Sequence, residues 1–284
     1  MLETVFWDVQ HGSAAYIKTP GDQHIAFDLG IGSFGESDQT FSPLMHLKRR
    51  WGVSRLNAVI VTHPHADHMG DIENFTEMNP IAFYRPRHLT DEEVLSDIRE
   101  SDRKVVEKYI EINGLYTDKL PVDHPLSSEV NRGAEFQLFQ PRECGRSNIN
   151  NHSIVTVVTY EGIKILLTGD NEPPSWNELL KDASFVKAIS GTHLLLAPHH
   201  GRLSAFSPEL FEHISPYLVV ISDGEYTDKS ASSQYSGKAL GWSVHRRNGE
   251  DAVRKCVTTR NDGVVRVQAG RNPDGKNFLS VTID

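Results

Sequence analysis

Four strong metal-ligand side chains fall within the six residues His63 to His68 of the run Thr62-His63-Pro64-His65-Ala66-Asp67-His68. In extended backbone His63 and His65 project to the same side and can grip one cation between them. Asp67 and His68, beyond a turn, can face a second cation beside the first. Imidazoles with a carboxylate suit zinc, with manganese or iron favoured in an oxygen-richer site. Two divalent ions about 3.5–4 Å apart would share a hydroxide whose pKa is drawn toward neutrality, which is hydrolytic chemistry.

Such a cluster needs an element to deliver it. Asn57-Ala58-Val59-Ile60-Val61, with its branched residues, reads as a buried strand running directly into the histidines. Period-two patterns predict further strands over Val5–Val9, Ala14–Lys18 and His24–Phe27, and again over Glu135–Phe139, Ser153–Tyr160 and Ile163–Thr168. Others are expected over His193–Ala197, Tyr217–Ser222, Val253–Thr259, Val264–Gln268 and Phe278–Ile283. A helix is expected over Pro43–Trp51, capped by Ser42, with Lys48-Arg49-Arg50 at its C-terminal dipole. The longest helical pattern, Thr90–Ile112, opens with Thr90 and Glu93 at capping-box spacing; another runs from Ser175 toward Ile189, and a short one starts at Pro208. Two β-rich halves, each carrying helices, predict an α/β four-layer αββα sandwich over 1–284 as one domain.

Composition narrows the function classes. The 284 residues hold 29 basic and 38 acidic side chains, a formal charge of −9, which weighs against a broad phosphate-binding surface. No apolar run approaches the roughly 20 residues that span a bilayer, so no membrane insertion is expected. The opening MLETVFWDVQ lacks a signal-peptide pattern, and two cysteines, Cys144 and Cys256, fit a reducing, cytoplasmic compartment. In Tyr84-Arg85-Pro86-Arg87-His88, two guanidiniums could serve a phosphate, although a solvated loop is the simpler reading. Trp51 and Trp242 could stack bases, with aromatic packing the default.

The string His63-Pro64-His65-Ala66-Asp67-His68 resembles the HxHxDH motif of the metallo-β-lactamase fold superfamily of binuclear metallohydrolases. The resemblance implies roles for other positions in the superfamily's order. Asp28, ending Ile25-Ala26-Phe27-Asp28, would support the motif loop, and Asp170 of Leu166-Leu167-Thr168-Gly169-Asp170 would bridge the two ions. His152, or its neighbours Asn150 and Asn151, would supply a third ligand to the first ion. Pro198-His199-His200-Gly201 would complete the second site, one histidine ligating and the other meeting substrate or protonating the leaving oxygen. The implied ligand set is therefore His63, His65, Asp67, His68, His152, Asp170, His199 and His200, with Asp67, His199 and His200 at the reacting groups. Two divalent ions are implied, zinc ahead of manganese.

The opening Trp7-Asp8-Val9-Gln10-His11-Gly12-Ser13-Ala14 is similar to one branch, the soluble domain of the bacterial DNA-uptake protein ComEC and its stand-alone relatives. That resemblance covers most of the chain except about 85–130, read as a helical insertion. It implies a phosphodiesterase or nuclease, with nucleic acid or a small phosphodiester as substrate. Gln10-His11 and Ser13 depart from the branch's Gly-Gln and Asp. Thr227-Asp228-Lys229-Ser230-Ala231-Ser232 stands where relatives carry a His-Pro pair, and His11 or His245 could substitute for that histidine. The alternatives are a metal-dependent hydrolase of a small ester, lactone, thioester or β-lactam, and a catalytically degraded metal-binding regulatory protein. Oligomeric state is not legible.

Overall fold

A computed structural model of the chain describes residues 1–33, 40–96, 98–224 and 230–284. Two mixed sheets dominate. The nine-stranded sheet runs in the order Asp251–Arg254, Trp242–Arg246, Asn277–Ile283, Val265–Arg271, Leu2–Phe6, Ala14–Lys18, His24–Leu29, Ala58–Ile60 and Ala82–Tyr84. The six-stranded sheet runs Cys256–Thr258, Leu218–Ile221, Leu194–Leu196, Ile163–Leu167, Val155–Tyr160 and Glu135–Phe139.

Side-chain alternation explains the layering. Ile25, Phe27, Ala58 and Ile60 of the first sheet meet Ile165, Leu167, Leu194 and Val220 of the second in one buried core. The intervening residues Ala26 and Val59 face outward, into a cluster with Leu44 and Leu47 of the helix Pro43–Arg50 and Val106 and Tyr109 of the helix Arg103–Leu115. Leu166, Leu195 and Val219 face the other way, onto Trp176, Phe185 and Tyr235 of three further helices. Strands apolar on both faces must be covered on both, so the chain forms the expected αββα sandwich.

Element boundaries hold several corrections. The Thr90 and Glu93 capping box forms, but it caps only Asp91–Leu95. Ser96 then turns extended, and a 3₁₀ turn at Glu100–Asp102 precedes Arg103–Leu115. The polar run Arg99–Lys104 offers no apolar side chain to hold one long helix against the sheet. Ser175–Ile189 likewise divides into Pro173–Leu179 and Ala183–Ile189, with Asp182 capping the second. Glu178 makes no capping box; its carboxylate accepts from the backbone N–H groups of Arg142, Glu143 and Cys144. The expected strand Val253–Thr259 breaks near Lys255, since Asp251–Arg254 belongs to the first sheet and Cys256–Thr258 to the second. The strands Ala82–Tyr84 and Trp242–Arg246 and the helix Ser232–Lys238 carry too little periodicity to be foreseen. Among the described residues no helix is long and apolar enough to cross a membrane.

The strands His24–Leu29 and Ala58–Ile60 are parallel, as are Ile163–Leu167, Leu194–Leu196 and Leu218–Ile221. Their carboxyl ends meet along one edge of the sandwich, where Ile154 N–H donates to the Thr62 carbonyl at 2.9 Å. The carboxyl ends of parallel strands are where such sheets place ligands.

Candidate metal centre

The proposed ligands other than His152 lie just past those strand ends; His152 closes the 3₁₀ turn Ile149–His152, ahead of the strand Val155–Tyr160. Thr62-His63 leaves Ala58–Ile60, and a four-residue helix, Ala66–Met69, turns Asp67 and His68 back toward the sandwich. Asp28 has φ +56 within its strand end, a left-handed conformation that a short polar side chain tolerates. Its carboxylate, buried, accepts from Thr62 N–H at 2.8 Å and from the Thr62 hydroxyl at 3.1 Å, and holds His68 Nδ1 at 2.8 Å. The expected role of Asp28 in positioning the motif loop thus has a physical basis, because it fixes both the loop backbone and the ring.

That ring aims Nε2 at a cluster. Asp67, His68, Asp170 and His200 each offer one donor atom, all within 4.8 Å of one another. His68 Nε2 lies 3.0 Å from Asp170 Oδ1 and 3.3 Å from His200 Nε2, and His200 Nε2 lies 3.3 Å from Asp67 Oδ2. His200 Nδ1 donates to the Ser222 carbonyl at 2.9 Å, which fixes its tautomer and leaves Nε2 for the cluster. Beside it, His63 Nε2 and His65 Nδ1 converge to 3.1 Å, with Asp170 Oδ2 4.0 Å from His63. Asp170 therefore stands between the two groups of histidines.

The second histidine of the pair is placed differently. His199 has φ +48, His200 φ +54 and Gly201 φ +67, three successive left-handed residues, two of them strained non-glycines. This turn sends His200 inward and His199 onto the wall of the adjoining cleft. His199 Nδ1 pairs with Glu172 Oε1 at 2.9 Å, and its Nε2 lies 3.7 Å from Asp170 Oδ2. A carboxylate only accepts, so Nδ1 carries the hydrogen.

Of the three candidates for a third ligand, Asn151 is engaged, its Oδ1 accepting from Glu172 N–H at 3.1 Å. His152 Nε2 and Asn150 Oδ1 are both buried without a partner. His152 is set apart by its other nitrogen, since Nδ1 meets His88 Nε2 at 3.0 Å. Among the described residues no hydrogen bond and no ion pair joins His152 to the four-donor cluster. His245 is exposed and pairs with Asp251 at 2.7 Å on an outer strand. Of the two possible substitutes for the late histidine, His11 is the one brought to the centre, its Nε2 3.5 Å from Asp67 Oδ2. Thr227-Asp228-Lys229 lies outside the described residues.

Electrostatics show what charge the centre suits. Burial alone would depress His68 and His200, yet Asp170 with Asp28 in one case, and Asp170 with Asp67 in the other, hold both above the ordinary range. Burial would raise the carboxyls of Asp170 and Asp67, but the same imidazoles hold both below the ordinary range. His63 and His65 are pushed down by burial, His63 further by His68 and His65. Three carboxylates, with no lysine or arginine paired to them among the described residues, thus draw protons onto two imidazoles, a setting that fits a divalent cation by charge and by donor type.

A cleft of about 500 Å³ opens onto this cluster, lined in part by His11, Arg99, Asn148, His199 and Arg202. Sequence reasoning missed Glu172, His88 and Arg202. Glu172 follows Asp170 by two residues, a local signal that was available. Of the two guanidiniums of Tyr84–His88, Arg85 is not free to serve a phosphate: it is 6% exposed and bonds to Asn113 and to the carbonyls of Phe83, Asn113 and Tyr116, whereas Arg87 is exposed and donates to the Thr117 carbonyl at 3.4 Å. Trp51 packs among Trp7, Tyr16 and His46 under Arg266.

Known proteins share parts of this chain. ComE operon protein 3 of Bacillus subtilis (strain 168) is 23% identical over 227 residues, 75% of this chain and 25% of that protein. The uncharacterized protein YcaI of Escherichia coli (strain K12) is 25% identical over 233 residues, 77% of this chain and 25% of that one. The chain thus spans about a quarter of the length of the curated relatives it matches. The human short-form tRNase Z structure superposes with a TM-score of 0.46 and 15% identity, covering 80% of this chain and 95% of that one. The family model described as Metallo-beta-lactamase superfamily matches residues 7–205, and the chain belongs to that superfamily.

Proposed function

We propose that the protein is a metal-dependent phosphodiester hydrolase. The observation that carries this reading is the cleft itself, where Arg99, Arg202 and His199 line the approach to the Asp67–Asp170 cluster, with Asp102 the one further acidic residue there among the described residues. A neutral ester or lactone needs no cationic wall, whereas an anionic phosphodiester does. The opening Trp7–Ala14, similar to the DNA-uptake branch, points the same way.

Asp67, His68, Asp170 and His200 would hold one cation; His63, His65 and His152, with Asp170 shared, would hold the other. Zinc suits this donor set best, with manganese second. Cations bound there supply Lewis acidity toward the phosphoryl group and acidify water near neutral pH. The residues do the rest. Asp28 and the Ser222 carbonyl fix His68 and His200, so the donors need no rearrangement. His199, steadied by Glu172, turns Nε2 to the cleft, where it can deliver a proton to the departing oxygen.

Purified protein supplied with Zn²⁺ or Mn²⁺ is expected to cleave bis(p-nitrophenyl) phosphate or single-stranded DNA, and His65→Ala is expected to lose at least about 100-fold of that rate. Unchanged phosphodiesterase activity in His65→Ala, or activity on small esters alone, would overturn the proposal.

A further inference from the structure

Two side chains that are 191 residues apart in sequence meet on the cleft wall: Arg202 Nη2 lies 3.5 Å from His11 Nε2. Both positions are unusually well fixed by backbone. His11 follows Gln10, which has φ +59 and whose N–H is held by Asp8 Oδ1 at 3.1 Å. On its other side, Gly12 lies so close to the motif loop that a Cβ there would stand 2.6 Å from the Asp67 carbonyl oxygen. A Cβ on Gly224 would stand 2.7 Å from the His11 backbone nitrogen, so the turn is clamped from both sides. Arg202 follows the left-handed run His199-His200-Gly201; its N–H donates to the His199 carbonyl at 3.0 Å, and it pairs with Ser230 as an isolated bridge.

The order across the wall is carboxylate, imidazole, guanidinium. His11 Nε2 is 3.5 Å from Asp67 Oδ2 and also 3.5 Å from Arg202 Nη2. The ring of His11 packs 5.1 Å from that of His200, which keeps it in this slot. Without the imidazole, the guanidinium would be drawn toward the Asp67 carboxylate, since opposite charges that close attract even on a half-exposed wall. With it, the fork of Arg202 stays turned to the cleft beside the cluster, at the place where a planar, bidentate donor matches two oxygens of a phosphoryl group.

We infer that Arg202 is the specificity residue that grips the non-bridging oxygens of an anionic phosphoryl substrate, and that His11 is the spacer keeping it off Asp67. The inference rests on the phosphodiesterase reading for its substrate class. No bond is made or broken by either residue; the pair discriminates between anionic and neutral substrates by hydrogen bonding.

The test uses metal-loaded protein, with inorganic phosphate as the binding probe by calorimetry and bis(p-nitrophenyl) phosphate and p-nitrophenyl acetate as substrates. Arg202→Gln is expected to weaken phosphate binding about 10- to 100-fold and to raise KM for the phosphodiester by a similar factor. Neither kcat nor KM for the neutral ester should move more than about 3-fold, and Arg202→Lys should recover part of the affinity. His11→Ala should reproduce the Arg202→Gln defect, and the double variant should be no worse than either single one, because both remove the same interaction. Phosphate affinity and phosphodiester KM unchanged in Arg202→Gln and His11→Ala, or fully additive losses, would overturn the inference. If the wild type hydrolyses no phosphodiester yet binds phosphate in an Arg202-dependent way, the pair stands and the proposed activity falls.

Discussion

At the scale of single residues, the centre is built from histidines whose second nitrogen is already engaged. His68 leans on Asp28, His200 on the Ser222 carbonyl, His199 on Glu172 and His152 on His88. Removal of such supports typically costs 10- to 100-fold in metal affinity. His88→Ala is therefore expected to weaken binding of the more labile ion by about that factor in equilibrium dialysis, while His245→Ala leaves it unchanged. Acidity should act with a definite sign. Asp170, with Asp28 and Asp67, keeps His68 and His200 protonated above their ordinary range in the metal-free protein, so a cation must displace those protons. Metal affinity should then rise with pH between about 5 and 8 and fall on acidification, each displaced proton adding about tenfold per pH unit; a pH-independent affinity would contradict this. The thiols are not part of the chemistry. Burial pushes Cys144 up to about 11 and Cys256 up to about 12, so both should resist a thiol reagent at pH 7 until the protein unfolds. The ligands of the His63–His68 run were legible in sequence because they lie within six residues. Asp28, which holds His68, was implied by the resemblance, but partners elsewhere in the site were not legible, since His88 reaches His152 across 64 residues and Arg202 reaches His11 across 191.

At the scale of elements, the strands could be read from alternation because each packs on both faces. Ile25 and Phe27 point to one core and Ala26 to another, and that periodicity survives in the sequence. The pattern Thr90–Ile112 reads as one helix because its apolar residues keep helical spacing on either side of the polar run that divides it into Asp91–Leu95 and Arg103–Leu115. The turn that carries Asp170 is tightly packed. Gly169 has φ +56, and a Cβ there would stand 2.7 Å from Ser153 Cβ and 2.8 Å from Thr62 Cβ. Gly169→Ala is expected to destabilise the fold by about 1–3 kcal/mol in denaturant unfolding, through left-handed strain and overpacking, and to shift Asp170 enough to lower activity at least tenfold. Gly191→Ala, with φ +75 but open space around it, should cost only the backbone strain and leave activity intact.

At the scale of the molecule, the formal charge of −9 first read as an argument against a phosphate-bearing substrate. Position changes that reading. Asp28, Asp67 and Asp170 spend their charge inside the centre, and the cleft beside them carries arginines. Bound cations should stabilise the whole sandwich, because donors from both sheets converge on them. Chelation is expected to lower Tm by about 5–15 °C, reversibly on return of Zn²⁺ or Mn²⁺. The most direct test of the central claim is elemental analysis of the purified protein paired with a phosphodiesterase assay on the same sample. The account predicts two divalent ions per chain, with Asp170→Asn losing both metal and cleavage together. One ion or none per chain, with no phosphodiester hydrolysis after metal is restored, would contradict it.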